Sequence, residues 1–95
     1  MRGSGTWALL YPSEFCYANG AEVLRDGKVV INSQAAVDAL SWYLDLALKH
    51  KVTPPSVATD GFVEIVEAFG RGVTSMYLHN SGSSGQQKKN VGVEN

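Results

Sequence analysis

The chain predicts a small, helix-rich α/β fold, and three observations carry that reading. Apolar residues recur at helical spacing over 37–48 and again over 62–69. Asp26-Gly27 stands between two β-prone runs, Val23-Leu24 and Val29-Val30-Ile31. Val73 to Leu78 then alternates like a strand before the composition turns to Asn, Ser, Gly, Gln and Lys. The expected set is about three helices, a small hairpin and one further strand, followed by a polar tail over 81–95.

The first helix is expected from Trp7-Ala8-Leu9-Leu10-Tyr11, with Thr6 able to cap it. Pro12 lacks a backbone donor and clashes with the preceding turn, so it should kink or restart the helix, with Ser13 as the new cap. Asn19-Gly20 stops it, because both residues tolerate the left-handed backbone. The hairpin around Asp26-Gly27 is too small to stand alone and is expected to lie on another element. Asn32-Ser33 opens the long second helix, whose stripe is Val37, Leu40, Leu44 and Leu48, widened by Ala36, Tyr43 and Ala47. Asp38, Ser41 and Asp45 fall on its solvent side. Lys49-His50-Lys51 complements the helix dipole, and Pro54-Pro55 forbids continuation. Thr59 or Asp60 caps a third helix with the stripe Phe62, Ile65, Val66 and Phe69, and Gly70-Arg71-Gly72 ends it.

Composition narrows the function. A 44% hydrophobic content over 95 residues is enough for one small core and too much for an intrinsically disordered chain. A net charge of -1 gives no electrostatic footprint for nucleic acid or an anionic membrane, and Lys88-Lys89 is too short a basic cluster to change that. No apolar run approaches the roughly 20 residues a membrane span needs, so no insertion is expected. Met1-Arg2-Gly3-Ser4-Gly5 is not a signal peptide, because no apolar segment follows the arginine. Cys16 is the sole cysteine and sits among Phe15, Tyr17 and Ala18, which favours a buried, inert thiol.

No catalytic constellation emerges. There is no nucleophile elbow, metalloprotease motif or phosphate loop, and Gly70-Arg71-Gly72 reads as a turn rather than part of a dinucleotide fingerprint. His50 and His79 lack accompanying cysteines or carboxylates, so neither a metal nor a cofactor is expected. Glu64 with Glu67, and Asp38 with Asp45, read as solvated helix faces, His50 as a helix-end cation, and Trp42-Tyr43 as helix packing. Two places invite a ligand: Trp7 beside a Gly-Ser entry, and His79-Asn80-Ser81, where donors and acceptors gather at a strand end. For both, plain packing or an ordinary loop is the competing reading. The expectation is a non-enzymatic protein.

Several ordered pieces carry a resemblance. They are Gly20-Ala21-Glu22-Val23-Leu24, Asp26-Gly27-Lys28, Ile31-Asn32-Ser33, Ala36-Val37-Asp38-Ala39-Leu40 with Tyr43 and Asp45-Leu46, and the Pro54-Pro55 loop. Ala68-Phe69-Gly70-Arg71-Gly72-Val73-Thr74-Ser75-Met76 closes the set and is similar to an "aF-x-x-Gk-x-aM" pattern. Together they resemble a stretch of the extracellular solute-binding proteins of ABC importers, the group that includes maltose- and other sugar-binding proteins. The likeness runs from Trp7 to Asn80. It implies two α/β lobes with solute held between them, of which residues 1–80 would form part of the second lobe.

That resemblance implies a small polar solute, chiefly a carbohydrate, a partner permease, and a periplasmic or extracellular location. It assigns ligand contacts to the loop at Thr6 and Trp7 and to His79, Asn80 and Ser81. No Trp follows Asn80, which departs from the family's sugar-stacking pattern and leaves the solute class open. Family members are several times longer, so the chain is expected to be a piece, dissected or truncated, that binds weakly by itself. Faces that a full lobe covers would then be exposed and favour self-association. The rival expectation is a free-standing helical interaction module that works through oligomerisation.

Overall fold

A computed structural model describes residues 7–92, with the backbone alone at Trp7. Helix-rich organisation with one small antiparallel hairpin is what it contains. The elements are α1 (Trp7–Ala18), β1 (Leu24–Arg25), β2 (Lys28–Val29), α2 (Gln34–Leu48), α3 (Phe62–Gly70) and α4 (Ser84–Val91), with short 3-10 turns at Pro55–Ala58 and Ser81–Ser83. The chain divides between residues 52 and 53 into two compact units.

In the first unit α1 packs on α2. The helix runs through Pro12 without the expected restart. Pro12 removes only the donor that would reach the Ala8 carbonyl, one turn from the helix start, where the loss is smallest. Ser13 does not cap; its hydroxyl donates back to the Leu10 carbonyl at 2.6 Å. The C-terminus closes as expected. Gly20 has φ 84°, its amide donates to the Tyr17 carbonyl, and the Ala21 amide donates to the Cys16 carbonyl, both at 2.9 Å.

The hairpin forms around Asp26 and Gly27, with φ 51° and 74°, and pairs Leu24 with Val29 and Arg25 with Lys28. It is shorter than the apolar runs predict. Its apolar side chains Leu24, Val29 and Ile31 are exposed, contrary to the expectation that it lies on another element.

Ser33 caps α2 by accepting a hydrogen bond from the Ala36 amide at 3.3 Å. The expected stripe needs correction. The buried residues are Ala36, Ala39 and Tyr43, while Val37, Leu40, Leu44 and Leu48 are 47%, 41%, 51% and 73% exposed. The reason is geometric: at 3.6 residues per turn α2 is apolar around more than half its circumference. Periodicity marks that whole arc but not the part a neighbour covers. Small residues at 36 and 39 allow close approach, and Phe15 of α1 sits about 5 Å from the rings of Trp42 and Tyr43. Beyond the end of α2, Lys51 takes the left-handed conformation at φ 52°.

In the second unit α3 begins after Gly61 rather than on a Thr59 or Asp60 cap. The Gly61 amide donates to the Glu64 side chain at 3.0 Å. Thr59 instead donates to the Ser56 carbonyl, and the buried Asp60 accepts from the Ser56 hydroxyl. Ile65 and Val66 are the buried centre of α3. Gly72, at φ 72°, turns the chain out of the helix, with the Val73 amide bonded to the Ala68 carbonyl at 2.9 Å.

One further expectation is overturned here. Residues 73–78 form no strand, because no neighbouring strand pairs with them among the described residues. The polar segment expected as a tail makes, over its described length, a 3-10 turn and then α4. Its apolar pattern is weak, yet α4 is anchored by Gln87, whose amide donates to the Val66 carbonyl at 3.1 Å.

Candidate functional site

The extended run after α3 lies along that helix in the opposite direction. Tyr77 meets Phe69 near the helix end, with ring centroids 4.8 Å apart. His79 meets Phe62 near the helix start, edge to face at 4.3 Å, and lies 5.8 Å from the Tyr77 ring. Met76 and Leu78 are exposed. From Met76 to Asn80 burial alternates without a sheet, because the aromatic pair on α3 replaces the missing neighbouring strand; Val73 and Ser75 are exposed.

Asn80 ends this run and organises the turn. Its Oδ1 accepts from the Gly82 amide at 3.0 Å, an Asx turn. Its carbonyl accepts from the Ser83 hydroxyl at 3.1 Å and from the Ser83 amide at 3.3 Å. Ser83 is 3% exposed, and its hydroxyl lies 3.5 Å from the Tyr77 hydroxyl. Asn80 and Ser81 are exposed, and the Asn80 amide nitrogen has no partner among the described residues. His79 Nδ1 lies 3.4 Å from the Asn80 carbonyl, while its buried Nε2 has no hydrogen-bond partner among the described residues. Exposed amide and hydroxyl groups thus stand on a tightly bonded turn beside an aromatic cluster. Such an arrangement can hydrogen-bond a polar ligand; it holds no nucleophile–base pair.

His79, Asn80 and Ser81 of the expected contacts are therefore contiguous on one turn. Thr6 lies outside the described residues, as does the Trp7 side chain, and Trp7 begins α1 of the other unit. The sequence reading missed Ser83, Tyr77 and Phe62, which hold the turn from within. The Asn80-x-Gly82 spacing was the available sign, since it marks an Asx turn whose return residue is drawn inward.

The other candidates keep structural roles. Cys16 is part-buried with its sulfur 3.9 Å from the Ala36 carbonyl. Glu64 serves the start of α3, and Glu67 pairs with Arg71 at 3.4 Å on an exposed face. No group of His, Cys, Asp and Glu among the described residues is arranged to hold a metal ion, and none of their helices is long and apolar enough to cross a membrane. A shallow hollow of about 270 Å³ is lined by Glu67, Gly70, Arg71 and Asn90, none of which belongs to the 79–83 turn. Comparison with protein-family models, with curated proteins and with solved structures gave no match for this chain.

Proposed function

We propose that the chain is part of the second lobe of an ABC-importer solute-binding protein, where it forms one wall of a cleft for a carbohydrate or other small polar solute. In this reading it has no catalytic role, acts in the periplasm or outside the cell, and meets a permease through the rest of its parent. The observation that carries the reading is the Asn80–Ser83 turn. Exposed polar groups stand on a backbone already bonded in place, which lowers the ordering cost of binding. The order of helix, hairpin, Ser-capped helix, proline loop and helix ending at Gly72 supports it through the resemblance described above.

The test is a thermal-shift panel of sugars and small polar solutes on a chain carrying both lobes. At least one solute should raise the melting temperature, and Asn80→Ala or Trp7→Ala should remove that shift. Asn80→Asp separates binding from folding, since it retains the acceptor for Gly82 and removes the amide donor. An unchanged shift in all three variants would sink the assignment.

A second reading is a helical module that works through self-association. It is favoured by the exposed aliphatic stripe of α2.

A further inference from the structure

We infer that Asn19-Gly20 is a self-modification site, a deamidating pair that the C-terminal cap of α1 keeps closed and whose reaction unlocks that cap. Asn19 precedes a glycine, whereas Asn32 and Asn80 precede serine and Asn90 precedes valine. A glycine nitrogen has no side chain beside it to hinder attack on the preceding amide. Both residues are exposed, and beyond its chain neighbours no heavy atom stands within 4 Å of where a Gly20 side chain would begin. Water and hydroxide therefore reach the pair.

The reaction needs only water. Hydroxide takes the proton of the Gly20 amide, and the nitrogen attacks Asn19 Cγ. The new N–Cγ bond closes a five-membered succinimide, the Cγ–Nδ2 bond breaks, and Nδ2 takes a proton from water and leaves as ammonia. Water then opens the ring at either carbonyl, giving aspartate or isoaspartate.

The fold withholds both reacting groups. The Gly20 amide donates to the Tyr17 carbonyl at 2.9 Å, with Gly20 at φ 84°, so it cannot turn toward Asn19 Cγ while the cap is formed. The Asn19 amide is held by the Phe15 and Cys16 carbonyls at 3.0 and 3.2 Å. Asn19 Nδ2 donates to the Ala35 carbonyl at 2.9 Å, which ties the end of α1 to the first turn of α2. Attack thus requires the cap to open locally. The product cannot re-form the lock. A carboxylate has no proton for the Ala35 carbonyl. The isoaspartyl form also adds a carbon to the backbone before Gly20, which shifts the Gly20 and Ala21 amides off the Tyr17 and Cys16 carbonyls.

Peptide mapping by mass spectrometry of the full chain, held at mildly alkaline pH with and without urea, tests this. In denaturing urea Asn19 should lose its amide faster than Asn32, Asn80 or Asn90. In the native chain the loss should be roughly tenfold or more slower, and across sub-denaturing urea it should rise in step with hydrogen exchange at the Gly20 amide. Equal native and denatured rates, or a native rate that ignores Gly20 exchange, overturn the gate. No conversion in urea overturns the site. The isoaspartyl form, separated by anion exchange, should lose exchange protection at Gly20 and Ala21, while Asn19→Asp, with its backbone unaltered, should keep it. Protection retained in the isoaspartyl form overturns the unlocking.

Discussion

Lys51 holds a left-handed backbone at φ 52° in a place where helices commonly end on glycine. The conformation costs an L-residue about 1 kcal/mol, so Lys51→Gly should raise unfolding stability by up to about that amount, read by urea denaturation. A loss of stability would show that the lysine side chain matters more than its backbone. Gly70 poses the opposite constraint. A Cβ there would stand 2.6 Å from the Asn90 Cβ, so α3 and α4 approach through a glycine. Gly70→Ala should destabilise by about 1–3 kcal/mol, as overpacking does. Hydrogen exchange should locate the loss in residues 84–91, and uniform protection would contradict it.

On the hairpin, the Arg25 guanidinium hydrogen-bonds the Glu22 carboxylate at 2.9 and 3.1 Å and holds its pKa below the usual value. The sign follows from linkage: a depressed carboxylate stabilises above its unfolded pKa, and that contribution is lost as pH falls through the folded value. Arg25→Gln should therefore move the Glu22 titration upward, followed by NMR. A titration that stays where it was would remove the pair from solution.

At the scale of elements, caps decided boundaries and neighbours decided faces. Ser33 sets the start of α2 through the Ala36 amide, and Ser33→Ala should cost about 1 kcal/mol in a denaturation series. Gly20 and Gly72 end α1 and α3 by one mechanism, and both stops are visible in the sequence. The face α2 buries is not visible there, because α1 covers only part of a wide apolar arc. The expected strand over 73–78 failed for a related reason. Alternation is a property of an extended chain, whereas a strand requires a second chain to bond. Here the extended chain uses Tyr77 and His79 to pack on Phe69 and Phe62 instead.

For the whole molecule, two compact units of fewer than sixty residues each lie in a size range where one core gives little stability. The buried apolar residues of the Thr6–Val52 unit include Ala21, Ala36 and Ala39, while Leu40, Leu44 and Leu48 remain exposed. Association through an exposed face should then contribute to stability. The thermal midpoint should rise with protein concentration by mass action, and a midpoint that does not move would argue against coupling of folding to assembly.

The sequence by itself determined the helix-rich class, the spans of the long capped helix and the hairpin turn, and the glycine stops, because each depends on interactions within a few residues. It also marked His79, Asn80 and Ser81 as a polar cluster. Tertiary structure alone decided which part of α2 is covered, that residues 73–78 pack on a helix instead of joining a sheet, and that Ser83 turns inward while Asn80 and Ser81 stay outside. It also made a helix of residues 84–91, where composition is polar and a side-chain amide bonds the Val66 carbonyl. Local bonding is encoded within a turn of chain; coverage depends on what lies across from it, and no window of sequence contains that neighbour.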